Sequence, residues 1–171
     1  MRDSTIRQIC NNALIAAIYV ALTIVPGVNL ISFGQVQFRV AEILVLLCFF
    51  RKDYSIGLII GCAIANAIGA TQSGMALDFI FGTIATALSV LCIAFSKNLF
   101  LASLSPVIIN GFVIGAELYF YFELPFWINV GFVALGEFVV ITIFGVLLFS
   151  YLRKNKLFLK IINANQNIEE E

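Results

Sequence analysis

Four carboxylates interrupt an otherwise apolar chain: Glu42, Asp78, Glu117 and Glu137. With them stand one arginine, Arg39, and several amides, Gln37, Asn66, Asn110 and Asn129. Carboxylates and amides in greasy surroundings call for a cation or for a ligand rich in N–H donors. A carboxylate deep in a bilayer costs roughly 2.5–3.5 kcal/mol on insertion scales, so four of them need compensation. Arg39 and Glu42 are three apart and share a helical face, which makes a pair that locks a loop to a helix one explanation. One arginine leaves an acidic surplus. Asp78 also has a plain role open to it, capping N–H groups at a helix start. Glu117 has another, snorkelling to an interface. Glu137 lies deeper, where such a plain role is weaker. Asn110 and Glu117 are seven apart, two helical turns, on one stripe with Gly111 and Gly115 nearby to admit another helix or a flat ligand.

The segments that position these groups are membrane spans. Charged residues make up 12% of the chain and hydrophobic ones 61%, against about 25% charged in a typical globular protein. Six apolar runs, at approximately 9–31, 36–50, 54–71, 77–96, 99–121 and 126–152, approach the roughly 20 residues needed to cross hydrocarbon. A polar tail, 153–171, follows. Hydrophobicity is continuous and does not alternate, which argues for helices and against an outer-membrane barrel. The expected architecture is therefore one all-α domain over 1–171, a six-helix bundle. The second run is short and needs extension or tilt, and Pro106 is an expected kink in the fifth. With the N-terminus inside, Arg2, Arg7, Arg51, Lys52, Lys97, Arg153, Lys154, Lys156 and Lys160 all fall on the cytoplasmic side, and only Arg39 falls outside. That bias places both termini in the cytoplasm. It also places Glu42, Asp78, Glu117, Asn66, Asn110 and Asn129 in the outer half of the spans, with Glu137 a third of the way down.

Other classes are disfavoured. Zero net charge with no basic patch between the ends argues against nucleic-acid binding. There is no histidine, and the four cysteines, Cys10, Cys48, Cys62 and Cys92, are isolated, so they read as apolar packing residues, with no metal site and no disulfide. No cofactor is expected. No P-loop, zincin motif or nucleophile elbow is present, and six short spans without an evident inverted repeat are few for a self-sufficient transporter. Aromatics Phe33, Phe38, Tyr119, Tyr121, Phe126 and Trp127 gather at the outer end, as an interfacial belt does. Ala13, Ala17 and Ala21 recur every four residues with Ala16 beside them, a smooth stripe for a partner subunit or for packing within the chain.

The stretch Gln37-Phe38-Arg39-x-x-Glu42 resembles the queuosine-precursor transporter family, the substrate-binding (S) components of energy-coupling-factor (ECF) transporters. Gly61-Cys62-Ala63-Ile64-Ala65-Asn66, Asp78-x-x-x-Gly82-Thr83, Asn110-Gly111 with Gly115-x-Glu117-Leu118, and Gly136-Glu137 extend the resemblance over essentially the whole chain. The family stretch often has a proline after the first glycine and a serine before the glutamate; here Gln35 and Ala41 stand there. The resemblance implies six helices in a bacterial plasma membrane, a transport subunit that is not itself an enzyme, a transmembrane coupling subunit docked on the alanine stripe, and two cytoplasmic ATPases. The cargo it implies is a 7-deazaguanine, a queuosine precursor or queuine. Substrate-binding residues on this reading are Gln37, Arg39, Glu42, Asn66, Asp78, Asn110, Glu117 and Glu137. Glu137 and Glu117 would take the base face or amine, Asn110 and Asn66 would orient it, and Arg39 and Glu42 would form a gate or upper wall. Alternatives are an S component for another cationic heterocycle such as thiamine, a membrane enzyme, or a structural subunit.

Overall fold

The computed structural model describes residues 2–25, 38–73 and 77–162, with the side chains of 2–4, 71–73 and 78 left out. Among these residues the fold is all-helical. Helix α1 is Arg2–Ile24, α2 is Val40–Phe50, α3 is Ser55–Ser73, α4 is Asp78–Phe95, α5 is Leu99–Phe122, α6 is Phe126–Leu152 and α7 is Lys156–Ile162. Four stretches are long and apolar enough to cross a membrane: Thr5–Ile24, Lys52–Ala70, Leu99–Phe122 and Phe126–Leu152. Val40–Phe50 and Phe79–Phe95 are shorter apolar helices. Exterior and interior are inverted relative to a protein in water. Phe95, Phe120, Trp127, Leu147 and Tyr151 are exposed, whereas Arg39, Glu42, Asn66, Asn110, Glu117 and Glu137 are buried. Lipid tails are as apolar as leucine, so close packing and internal hydrogen bonds, not water exclusion, hold such helices together.

Helix α2 is the hub. It opens as a 3-10 helix over Val40–Leu46, closes as an α-helix over Leu47–Phe50, and its first part touches α1, α3, α4, α5 and α6. With rises of roughly 2.0 and 1.5 Å per residue it is about 20 Å long, short of a hydrocarbon core of about 30 Å. The start of the expected second run, at 36–37, and any extension before it lie outside the described residues. The described helix begins at Val40, and Arg39, 4% exposed, is buried inside the bundle at its start. Residues 26–37, with Gln35, Gln37 and Phe33, lie outside the described residues.

Around α2 the other helices pack through small residues. On α3, a Cβ at Gly57 would lie 2.5 Å from the Asn12 carbonyl oxygen, and one at Gly61 would lie 2.9 Å from Tyr19 Cβ and 3.0 Å from Ala16 Cα. Both positions therefore seat the backbone of α1, and the two helices run parallel. Asn12 adds a polar lock: its Oδ1 accepts from Gly57 N at 2.7 Å, satisfying a first-turn N–H of α3 that has no partner in its own helix. Between α5 and α6, Gly115 abuts Val130 and Gly111 abuts Ala134, so these glycines admit a helix and leave no room against them for a flat ligand. Helix α5 continues through Pro106 and ends at Glu123, which is left-handed with φ 54°, as its 124 N–H turns back to the Leu118 carbonyl at 3.3 Å.

The basic end differs from the expected polar tail. Lys156–Ile162 is a helix, capped by Asn155, whose Oδ1 accepts from Leu157 N at 2.9 Å. It packs Phe158 on Phe50 and Phe149, with ring centroids 6.2 Å away in each case, and Tyr54 donates its hydroxyl to the Ile162 carbonyl at 2.8 Å. Five of its seven residues are apolar, so its lysines mark a helix at a surface and not a solvated tail. Helix α1 also starts earlier than the run expected from Ile9, at Arg2, and α3 runs through Ser73.

Candidate functional site

Glu42 projects from the hub and is fully buried. Its Oε1 accepts a short hydrogen bond from the Tyr19 hydroxyl of α1 and a longer one, at 3.3 Å, from Thr86 Oγ1 of α4. Thr86 Oγ1 is in turn 3.2 Å from Cys62 Sγ on α3. That sulfur also receives Asn66 Nδ2 at 3.3 Å, one helical turn on, and Asn66 Oδ1 accepts from Arg39 Nη2. A continuous polar chain therefore runs Tyr19, Glu42, Thr86, Cys62, Asn66, Arg39, joining α1, α2, α3 and α4. Buried polar groups are stable in apolar surroundings when they satisfy one another in this way.

A second arm comes from α5 and α6. Asn110 Nδ2 donates to Glu137 Oε1 at 2.8 Å, and both residues are buried. Glu137 lies within electrostatic reach of the Glu42 carboxyl and the Arg39 guanidinium, so the two arms face one site. Immediately after Glu137, α6 changes from α-helix to a π-helix, Phe138–Gly145. A widened turn of this kind frequently marks a functional position. Seven residues beyond Asn110 on α5, Glu117 is also buried, 2% exposed, which rules out the interfacial snorkelling available to it from sequence.

The structure thus brings Arg39, Glu42, Asn66, Asn110 and Glu137 together and places Glu117 on the same helix two turns away. Arg39 and Glu42 are both buried inside the bundle. Asn129 serves its own helix, donating to the Pro125 carbonyl at 2.7 Å. Gln37 and the Asp78 side chain lie outside the described residues; the Asp78 backbone is the first residue of α4. Tyr119, Tyr121 and Trp127 are exposed and meet neighbouring aromatics edge to face, as with Tyr119 and Phe126 at 6.2 Å. Towards the basic end, Ser103 Oγ donates to Phe100 O at 2.7 Å and to Thr142 Oγ1 at 3.2 Å.

Sequence reasoning missed three participants. Tyr19 is mid-helix, unlike an interfacial tyrosine, and that placement was the available signal. Cys62 is a free thiol in the polar chain, not simple apolar packing, while Cys48 is buried in the core and Cys10 and Cys92 are exposed. Thr86 lies one turn from Gly82, whose carbonyl is 3.7 Å from Cys62 Sγ. Among the described residues no group of three His, Cys, Asp or Glu side chains is placed to hold a metal. Such a site, with acids and amides converging from several helices, can hold an organic ligand through charge-assisted hydrogen bonds of about 1.5–3 kcal/mol each.

The alanine stripe of α1 separates by direction. Ala16 turns inward against Gly61, while Ala13, Ala17 and Ala21 are exposed.

Comparison with known proteins bears on what this site serves. The profile of the QueT transporter family matches residues 9–154. A relative from Lactococcus lactis subsp. cremoris (strain MG1363), the queuosine precursor transporter QueT, is 38% identical over 152 residues, covering 81% of this chain and 88% of that protein. No solved structure matches. With that match over most of its length, the chain belongs to the QueT transporter family.

Proposed function

We propose that the chain is the membrane-embedded substrate-binding subunit of an ATP-driven ECF-type importer, and that its cargo is a 7-deazaguanine: a queuosine precursor or queuine itself. The observation that carries this reading is the convergence of two fully or nearly fully buried carboxyls, Glu42 and Glu137, with Arg39, Asn66 and Asn110 in one half of an apolar bundle. A guanine-type ring offers N–H donors on one edge and a carbonyl acceptor beside them. The carboxylates answer the donors and any cationic aminomethyl arm; Arg39 or an amide answers the carbonyl. Gln37, Asp78 and Glu117 are proposed as further cargo-binding residues. The name of the Lactococcus relative supports the same cargo.

The chain's surfaces support the rest of this reading. Only 11% of the Thr5–Ile24 span is buried inside the chain, against 44% for each of the other three long spans. Its exposed Ala13, Ala17 and Ala21 would dock on a transmembrane coupling subunit, with two cytoplasmic ATPases beneath. Nine of the ten basic residues favour six spans in a bacterial plasma membrane with both termini cytoplasmic. The site then opens outward, and reorientation of the subunit against its partner delivers cargo inward. Titration of the purified protein with 7-aminomethyl-7-deazaguanine and with thiamine tests the cargo. Saturable binding of the deazaguanine is expected; saturable binding of thiamine alone would overturn it in favour of another cationic heterocycle.

A further inference from the structure

The two buried carboxyls of the site differ in the protein donors that meet their Oε1 atoms. Glu42 Oε1 receives two protein donors, Tyr19 and Thr86. Glu137 Oε1 receives one, Asn110 Nδ2 at 2.8 Å, and Glu137 Oε2 is buried with no hydrogen-bond partner among the described residues. A carboxylate oxygen accepts more than one hydrogen bond, so Glu137 has capacity left on both oxygens, and an isolated buried acceptor is costly to maintain. Its place is also fixed from two sides. Asn110 holds the carboxyl from α5, and the π-helix of α6 begins at the next residue.

Resting on the reading of a 7-deazaguanine as cargo, we infer that Glu137 reads the ring edge of the ligand, accepting the ring N–H and the adjacent exocyclic amine on its two oxygens, and that Asn110 is a positioning residue. Asn110 does not need to touch the ligand. It fixes the carboxyl plane so that both donors can be met at once. Glu42, tied to Tyr19 and Thr86, supplies negative potential and is not assigned to the edge. Selectivity for the exocyclic amine therefore resides in Glu137.

The test compares 7-deazaguanine with 7-deazahypoxanthine, which lacks that amine, on purified wild type, Glu137→Gln, Asn110→Ala and the double variant. Wild type is expected to prefer 7-deazaguanine on the order of 10- to 100-fold, the loss of one charge-assisted hydrogen bond. Glu137→Gln is expected to bring the two ligands within about threefold, since an amide can no longer accept at both positions. Asn110→Ala is expected to reduce the preference when Glu137 is present and to change nothing further in the Glu137→Gln background. Equal weakening of both ligands by Glu137→Gln, or an undiminished Asn110→Ala effect in the double variant, overturns the inference. Should Glu137→Gln not fold, the wild-type comparison still decides: binding of both ligands with equal affinity overturns the edge assignment alone. Binding of neither removes the cargo reading and the inference with it.

Discussion

The Tyr19 hydroxyl donates to Glu42 Oε1, joining the outermost long helix to the central one at a fully buried carboxyl. It is the first link in the chain that ends at Arg39. That bond makes α1, the helix proposed to meet the coupling subunit, a wall of the candidate site as well. Tyr19→Phe removes the donor and little volume. A hydrogen bond to a charged or buried acceptor is worth about 1–3 kcal/mol, so ligand affinity should fall roughly tenfold or more. Tyr119→Phe, at an exposed ring, should leave affinity unchanged. Equal affinities for wild type and Tyr19→Phe in a titration would show that the bond does not shape the site.

Close packing of α1 on α3 gives a second prediction. A methyl at Gly57 would stand 2.5 Å from a backbone oxygen of Asn12, and backbone cannot move aside as a side chain can. Gly57→Ala should destabilise the protein by about 1–3 kcal/mol, as overpacking does. Gly131 has nothing within 4 Å of its would-be Cβ, so Gly131→Ala should be neutral or gain up to about 1 kcal/mol from helix propensity. Thermal unfolding in detergent ranks the two; the reverse order would contradict the packing described.

Much of this was legible in the sequence. Glu42, Glu137, Asn66 and Asn110 stand out because a charged or amide group in an apolar run has no cheap reason to be there. Their partners did not stand out. Tyr19, Cys62 and Thr86 are ordinary in membrane helices, and only tertiary contact makes them polar links. The brevity of α2 was visible, but its 3-10 opening was not, because that form is set by the five helices around it. At the basic end, Lys156 and Lys160 masked an amphipathic turn whose start, Asn155, is a normal helix cap.

That cap is itself testable. Asn155→Ala removes the acceptor for Leu157 N and should cost about 0.5–2 kcal/mol, loosening α7 from Phe50 and Tyr54. Faster amide exchange at 156–162 with unchanged ligand affinity is the expected result; lost affinity would tie α7 to the site.

Glu123 supplies a stabilising change. Its φ of 54° costs a side-chain-bearing residue about 1–2 kcal/mol relative to glycine. Glu123→Gly should therefore raise the unfolding midpoint and leave ligand binding intact. A lowered midpoint would mean that the exposed carboxylate contributes more than the backbone strain costs.

The alanine stripe separates binding from transport. Ala17→Leu adds bulk to an exposed face of α1, so the isolated protein should bind ligand normally, while association with a coupling subunit and uptake in cells should fail. Loss of binding with assembly preserved would place the stripe inside the fold of the chain.

The most direct measurement of the central claim is mass spectrometry of the small molecule released on denaturing protein purified from cells grown with queuosine precursors. The account predicts a 7-deazaguanine in near-stoichiometric amount from wild type. A different heterocycle at that level, or a phospholipid fragment in its place, would contradict it.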